Sequence, residues 1–193
     1  MASPAEILLP GMRAIFSFIW EIIKVVVISL LIVVPIRYFV IQPFFVKGMS
    51  MEPTFDDGQY LIIDEISYRI EAPERGEVIV FKYLHDPSQY YIKRIIGLPG
   101  ETVEIVGGGI IIYNSENPNG QVLEEKYLFK DLKTIGDMKV FLKGDEYFVL
   151  GDNRSASSDS RRWGPLDKDY IIGRAWIRVW PFDTAKVFAA PGY

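Results

Sequence analysis

The sequence predicts a mainly β protein that follows one N-terminal transmembrane helix. Three observations support this prediction. The chain has 193 residues, 49% of them apolar and 24% charged, which suffices for one folded domain with an appended lobe and excludes a disordered chain. The first 50 residues contain a long apolar run, and no helical periodicity persists after it. Short β-branched and aromatic runs separated by turn residues occur there instead.

The apolar run, residues 14–36, contains only two charged residues, Glu21 and Lys24. As a helix it would reach about 34 Å, slightly more than the ~30 Å hydrocarbon core of a bilayer. Its second half is apolar on all sides, whereas a helix packed on a soluble core would keep a polar face. We therefore predict a membrane anchor over residues 14–38 after a tail over residues 1–13. A cleavable signal peptide and a buried helix or hairpin are the alternatives, and the flanking charges do not decide the orientation.

Charge and composition separate this stem from the rest of the chain and exclude several functions. Residues 1–50 carry a net charge of +2 and residues 51–193 carry −6, within a total of −4. An acidic body argues against nucleic acid as the main partner. The chain has no cysteine, which excludes disulfides, a thiol nucleophile and cysteine-based zinc sites. Its one histidine, His85, cannot form a histidine-rich site, so we expect neither a metal nor a cofactor.

Six segments of the acidic body have the composition of β-strands. They are residues 60–66, 77–83, 90–97, 102–114, 139–151 and 171–180. The triple glycine at 107–109 predicts a hairpin. Residues 115–138 are polar and glycine-spaced, could contain a short helix near Leu123–Leu132, and resemble an insertion more than a core. The predicted body is therefore a partly open or barrel-like sheet with a secondary lobe.

The segment GMSMEPT, residues 48–54, contains the first candidate for chemistry, Ser50. A flexible glycine, Gly48, precedes this serine, and a turn fixed by Pro53 follows it. Such a turn can expose the hydroxyl and direct backbone N–H groups towards one point. A single serine is nevertheless more often a turn or cap residue, and the Gly-x-Ser-x-Gly elbow is not present.

A serine nucleophile needs a base. The single histidine, His85, lies beside a turn, where we expect it to be solvated. Lysine is then the remaining common option. Lys93 lies within a predicted strand, where it shares one face with Tyr91 and Ile95. Burial among bulky neighbours and the adjacent Arg94 would lower the pKa of Lys93 and favour a neutral amine. The alternative is that Lys93 extends from the sheet surface into solvent.

A dense cluster of short polar residues, GDNRSASSDSR at 151–161, separates two predicted strands. Such residues bond to the backbone and to one another, so the cluster could be an ordinary surface loop. The alternative is that its hydroxyl groups hold a lysine amine while Asp–Arg pairs fix the loop.

Together these segments resemble those of type I signal peptidases, the membrane-anchored serine proteases that remove signal peptides. The matching segments, in the order found in that family, are GMSMEPT (48–54), RGEVIVF (75–81), YIKRIIGLPGE (91–101) and GDNRSASSDSR (151–161). The likeness covers nearly the whole chain. The endoplasmic-reticulum branch of the family has histidine in place of Lys93, so this chain is more similar to the bacterial or organellar branch.

The resemblance implies a role for each candidate site residue. Ser50 would be the nucleophile and a neutral Lys93 the general base. Ser157 would orient the lysine amine, and Asp159 and Arg161 would brace the loop that carries it. These roles define a Ser/Lys dyad with three supporting residues.

Gly48 departs from one variant of the family, in which a serine hydroxyl at this place contributes to the oxyanion hole. Here the oxyanion would rely on backbone N–H groups, including that of Ser50, or on a nearby water. We expect the backbone to serve, because glycine permits a close approach.

The resemblance also implies the substrate, the domain organisation and the location. The substrates would be preprotein signal peptides with small residues at −1 and −3, and Phe44 and Ile92 are candidate walls of two shallow apolar pockets. The catalytic core would comprise residues 39–101 and 143–193, with a smaller β lobe inserted over residues 102–142. The protein would cross the plasma (inner) membrane once, with its body outside the cytoplasm. Five aromatic residues could touch the lipid bilayer or could instead be core and strand residues: Phe44, Phe45, Trp176, Trp180 and Phe182. The oligomeric state is not specified.

Two other functions are compatible with parts of the sequence. A self-cleaving, repressor-like Ser/Lys protease can share the dyad, but it would carry a DNA-binding head, and residues 1–47 contain no basic recognition helix. A non-catalytic, membrane-anchored β binding module would not require Ser50 and Lys93 to meet. A distance of ~2.6–3.2 Å between their polar atoms is expected only for a dyad.

Overall fold

The chain divides into two units, Met1–Val40 and Ile41–Tyr193, in a computed structural model that describes residues 4–39, 41–130 and 132–191. The first unit is helical. The second contains the β-strands, as the short β-branched and aromatic runs of the acidic body predicted.

The helical unit consists of α1 (Pro4–Phe39), which has 36 residues. Proline is favourable at a first helical position because the N–H that it lacks would have no partner there. Within α1, Arg13–Val34 is long and apolar enough to cross a membrane, and all of its side chains are exposed. The predicted N-terminal apolar helix is therefore confirmed. It starts earlier than the apolar run and continues beyond Pro35.

The second unit is built from antiparallel strands. In chain order they are β1 (Ile41–Phe45), β2 (Tyr60–Asp64), β3 (Val78–Tyr83), β4 (Asp86–Gly97), β5 (Thr102–Val106), β6 (Gly109–Tyr113), β7 (Gln121–Val122), β8 (Met138–Phe141), β9 (Glu146–Leu150), β10 (Leu166–Asp167), β11 (Ile171–Trp180) and β12 (Lys186–Val187). A short helix, α2 (Ser160–Trp163), follows β9. The mainly β fold class is confirmed.

The larger sheet has the order β1-β2-β11-β3-β4-β9-β10, with β12 paired to β11. It bends until Phe44 on β1 meets Tyr90 on β4, with ring centroids 5.4 Å apart. Strand β3 pairs with β4 on one side, whereas β9 covers the other side only from Arg94 onward. The earlier part of β4 therefore presents an open edge towards β1, which forms a groove between the two strands.

The smaller sheet has the order β7-β6-β5-β8 and lies within residues 102–141. Its β5–β6 hairpin turns at Gly107 and Gly108, as the triple glycine predicted. Ile105 and Ile110 of this sheet share one buried cluster with Phe148 of β9. The second sheet is thus packed directly on the strand that leads into the polar cluster at 151–161.

Two local predictions differ from the structure. The helix near Leu123–Leu132 is wrong: among the residues described there the backbone forms turns, with Leu128 N–H donating to Glu125 C=O at 3.1 Å. Segment 139–151 is two strands, because the turn at Gly144 separates β8 of the smaller sheet from β9 of the larger one.

Candidate active site

Ser50 lies in the loop between β1 and β2, two residues after a glycine in a left-handed conformation. Gly48 has a φ of 90°, which L side chains rarely adopt, and its N–H donates to Asp57 Oδ1 at 2.6 Å. Met51 and Phe55 are both fully buried and anchor the turn that follows. The loop is therefore fixed on both sides of a half-buried serine.

Lys93 reaches this serine from β4. Its Nζ lies 2.8 Å from Ser50 Oγ and 2.8 Å from Ile92 O, and the residue is 4% exposed. The carbonyl can accept one amine hydrogen, which leaves the nitrogen lone pair of a neutral Lys93 for the serine hydroxyl. The alternative of a solvent-exposed Lys93 is thus wrong, and the two residues meet at hydrogen-bond distance.

Burial lowers the proton affinity of Lys93. It lowers the pKa of Lys93 from 10.5 to about 8, while the carboxylates of Asp159 and Asp152 act in the opposite direction. The position of Arg94 beside Lys93 in the sequence predicted a further lowering of the lysine pKa. Instead the Arg94 guanidinium is paired with Asp152, so burial is the main cause.

Arg94 and Asp152 form a buried ion pair beside the dyad. Arg94 Nε donates to Asp152 Oδ1 at 2.8 Å, and Nη2 donates to Oδ2 at 2.6 Å. Thr54 Oγ1 donates to the same carboxylate at 2.5 Å, and Arg94 Nη1 donates to Gly76 O at 2.7 Å. Because every charged group has several partners, this network can hold the Ser50 loop, β4 and the 151–161 loop together.

Asp159 and Arg161 are brought together as the sequence analysis expected. Arg161 Nε and Nη2 each donate to the Asp159 carboxylate at 2.8 Å, and Gly151 N–H donates to it at 3.2 Å. Burial raises the pKa of Asp159, but Arg161, Ser157 and the Gly151 N–H together outweigh burial and leave the pKa below its usual range. The pair fixes both ends of the loop.

Ser157 does not make the contact expected of it. Lys93 Nζ bonds to Ser50 and Ile92, and Ser157 Oγ, although buried, has no hydrogen bond of good geometry within the described part of the chain. It is close enough to Asp159 to help lower the pKa of that carboxyl. A side chain at Gly151 would overlap both Ser157 Oγ and Ser50 O, so the loop still approaches the serine closely.

A cavity of about 350 Å³ opens beside the dyad. Both predicted wall residues, Phe44 and Ile92, line it, together with Ser50 and Lys93. The remaining lining residues are Phe45, Val46, Lys47, Leu61, Val80, Gln89, Tyr90, Tyr91 and Ser158. The lining is largely apolar, as side chains such as alanine would require.

Comparisons with known proteins identify the family. A family model described as signal peptidase, peptidase S26, matches residues 19–180. A signal peptidase I of Leptolyngbya laminosa is 41% identical over 184 residues, which cover 91% of this chain and 86% of the relative. The chain belongs to the signal peptidase family.

Other signal peptidases are also similar. A probable signal peptidase I-2 of Synechocystis sp. is 39% identical over 170 residues, which cover 83% of this chain and 73% of the relative. The crystal structure of a signal peptidase I from Enterococcus faecalis V583 is 33% identical, covers 54% of this chain and 97% of that chain, and aligns with a TM-score of 0.47.

Membership in the signal peptidase family makes this chain a serine endopeptidase that processes signal peptides. It overturns the alternative of a non-catalytic binding module and favours a peptidase over a self-cleaving repressor.

His85 lies in the turn between β3 and β4, at the end of β4 distant from Lys93. The centroid of its ring is 5.3 Å from that of the Tyr83 ring. Among the described residues no group of acidic residues and histidine could hold a metal ion.

Sequence reasoning missed several residues of this signal peptidase site. Thr54 and Asp152 lie within matching segments but were given no role, and Arg94 was treated only as a neighbouring charge. Tyr90 and Leu61 line the cavity without having been recognised. The available signal for Arg94 was its position next to Lys93 on a strand, where alternate side chains face opposite sides.

Proposed function

We propose that this signal peptidase cuts exported preproteins after a small-x-small motif, with Ser50 as the nucleophile and the neutral amine of Lys93 as the general base. The observation that carries the proposal is the 2.8 Å contact between Lys93 Nζ and Ser50 Oγ beside an apolar cavity. A buried lysine with a pKa of about 8 is available as a base near neutral pH, whereas an ordinary lysine is not.

The substrate would bind as an extended strand between β1 and the open part of β4, where backbone groups of both strands can pair with it. Alternate side chains of an extended peptide face the same side, two residues apart. Ile92 and Tyr90 are likewise two residues apart on β4, and both line the cavity. With the scissile bond at Ser50, the −1 side chain would lie near Ile92 and the −3 side chain near Tyr90 and Phe44.

The reaction would proceed through an acyl-enzyme. As Ser50 Oγ forms a bond to the carbonyl carbon of the −1 residue, its proton passes to Lys93 Nζ. The resulting ammonium returns that proton to the leaving nitrogen as the peptide bond breaks, which leaves the signal peptide esterified to Ser50. Lys93 then takes a proton from an attacking water, the ester bond breaks, and Ser50 recovers its hydrogen.

The oxyanion would be bound by backbone N–H groups, with that of Ser50 first among them. No hydroxyl is available at Gly48, and the N–H of this glycine is already donated to Asp57. The left-handed turn at Gly48 and the bond to Asp57 fix the direction of the loop, so that the donors are in place before charge develops.

The location is proposed on related grounds. Helix α1 would cross the plasma membrane once, with the body on the extracytoplasmic side. Phe45, Trp180 and Phe182 are 54%, 47% and 75% exposed and suit contact with lipid headgroups, as does Trp176 at 38%. Phe44 is instead half-buried in the cavity. The second sheet would be the inserted lobe of residues 102–142.

The full chain, solubilised in detergent, is expected to cut a preprotein with an Ala-x-Ala site once, directly after the second alanine. Product mass and N-terminal sequencing measure the position of the cut. A matched preprotein with leucine at −1 should remain intact, because the proposed specificity requires a small side chain beside Ile92. Equal cleavage of the two preproteins, or a cut elsewhere, would refute the proposed specificity.

Tyr90→Ala is expected to enlarge the part of the cavity that would accept the −3 side chain. The Tyr90 ring contacts Phe44 edge to face at 5.4 Å, so its removal opens that end of the cavity. We expect a preprotein with leucine at −3 to gain about 10-fold in kcat/KM relative to one with alanine. The matched control is Tyr60→Ala, because Tyr60 is similarly exposed and pairs with Phe45 at 5.0 Å but does not line the cavity. An unchanged ratio for Tyr90→Ala would contradict the assignment.

A further inference from the structure

A short segment of the smaller lobe, residues 123–128, reaches the buried charges beside the dyad. We call it the lobe segment. It begins at Leu123, which is buried in the core shared by the two sheets and whose N–H donates to Ile110 O at 2.9 Å. The segment is therefore anchored to the smaller sheet at its start, and its later side chains are free to extend towards the larger sheet.

Glu125 of the lobe segment forms an ion pair with Arg154 of the 151–161 loop. The two guanidinium nitrogens of Arg154 face the two carboxylate oxygens of Glu125, with one contact at 2.7 Å, and the side chains are only 1% and 13% exposed, respectively. Thr134 bonds to the same guanidinium and is tied by its N–H to Gly108 O in the β5–β6 hairpin. Two points of the lobe thus hold one buried arginine.

Arg154 transmits this contact to the nucleophile. Its Nε donates to Gly151 O at 3.1 Å, and its backbone O accepts from Arg161 at 2.6 Å. The neighbouring Asn153 N–H donates to Ser50 O at 3.1 Å. The orientation of Arg154 therefore fixes the short backbone stretch that holds the carbonyl group of Ser50.

Tyr127 connects the lobe segment to the second buried arginine. Its hydroxyl donates to Glu125 Oε1 at 2.5 Å, and its ring lies 4.0 Å from the guanidinium carbon of Arg94. A cation over an aromatic ring is stabilised more strongly when water is excluded. Arg94 is 4% exposed and is adjacent to Lys93 in β4.

We propose that Glu125 and Tyr127 of the smaller lobe are positioning residues for signal-peptide cleavage. They keep the Ser50 loop and strand β4, which carries Lys93, in their relative positions. The inference rests on the proposed Ser50/Lys93 reaction. The lobe then has a function in catalysis although, within its described part, no residue lines the cavity. Loss of the contacts that Glu125 and Tyr127 make with the two arginines should therefore lower kcat and leave KM unchanged.

The test measures initial rates of the full chain on the Ala-x-Ala preprotein. A range of substrate concentrations separates kcat from KM. Glu125→Gln keeps the shape of the side chain but leaves a buried arginine without its counter-ion, and we expect a fall in kcat of about 10- to 100-fold. Glu125→Asp, which keeps the charge, should recover part of this loss. Tyr127→Phe, which removes one hydroxyl, should lower kcat less than Glu125→Gln.

The matched control is Glu124→Gln. Glu124 is the preceding residue, and its carboxylate pairs with Lys126 at the surface, where the side chains are 73% and 84% exposed. This variant should have the kcat and KM of the unsubstituted chain. Thermal unfolding of every variant reports how much of each is folded, so that kcat can be expressed per folded molecule.

The outcomes are distinguishable. A kcat per folded molecule that is unchanged in Glu125→Gln, or a loss confined to KM, would overturn the positioning role and leave a structural one. If Glu125→Gln does not fold, Glu125→Asp and Tyr127→Phe decide the question by the same criterion. Failure of the unsubstituted chain to cut the preprotein would instead refute the proposed function, whatever the variants do.

Discussion

Replacing Lys93 by alanine is expected to lower kcat for preprotein cleavage by about 10⁴-fold or more, and replacing Ser50 by alanine should do the same. Without the amine the Ser50 hydroxyl loses the base that would accept its proton, because the side-chain contact of this hydroxyl in the described part of the chain is the one from Lys93 at 2.8 Å. Without the hydroxyl no acyl-enzyme can form. If the two groups act as a unit, as proposed, the double variant should be no less active than either single one.

Initial rates on the Ala-x-Ala preprotein measure this effect, and two variants serve as matched controls. Lys82→Ala removes an exposed lysine of the neighbouring strand β3, and His85→Ala removes the histidine of the β3–β4 turn. Both should keep full activity. Cleavage that is undiminished in Lys93→Ala, or lost in a folded His85→Ala, would contradict the Ser/Lys assignment.

The strands and the candidate dyad could be predicted from sequence because their signals are local. Short β-branched runs bounded by glycine and proline give β3, β4 and β11 to within a few residues. Ser50 and Lys93 were selected partly by elimination, since the chain has no cysteine and a single histidine in a turn. The segments that resemble the family then assigned their roles. No local sequence signal specifies the distance between the two side chains.

The partners of the buried arginines could not be predicted, because they depend on strand register. Arg94 on β4 lies opposite Leu150 on β9, and this pairing carries Asp152, two residues further on, to the Arg94 guanidinium. A shift of one residue would direct Arg94 to the other face of the sheet. Only the assembled sheet specifies this register.

The lobe segment shows how tertiary contacts override local preference. Residues 123–132 are rich in leucine, glutamate and lysine, which favour a helix in isolation. In the structure Leu123 is buried in the core shared by the two sheets. Glu125 forms an ion pair with Arg154 of the 151–161 loop, and the Tyr127 ring lies over the guanidinium of Arg94 on β4. One helical face could not satisfy these contacts, so the segment forms turns.

The rate of cleavage is expected to rise with pH and to level off above an apparent pKa of about 8, well below the ordinary lysine value of 10.5. In the proposed mechanism the active form of Lys93 is the neutral amine, and burial disfavours the ammonium. At pH 7 a lysine with the lower pKa is neutral about 300 times more often than an ordinary one. Measuring kcat/KM between pH 6 and 11 gives the apparent pKa, and a profile that still rises steeply near pH 10 would show an ordinary lysine.

The same titration should appear in stability, which separates the buried lysine from any effect of pH on the substrate. The folded chain releases the Lys93 proton near pH 8 and the unfolded chain near 10.5, so between these values the unfolded state binds more protons. The free energy of unfolding should therefore rise with pH across this window, by about 3 kcal/mol in total from this residue. Lys93→Met removes the group, and its unfolding free energy should exceed that of the unsubstituted chain below pH 8 and lose this advantage towards pH 10.5. A stability difference between the two proteins that does not change with pH would mean that Lys93 titrates alike in both states, and a charged lysine at neutral pH could not serve as the base for Ser50.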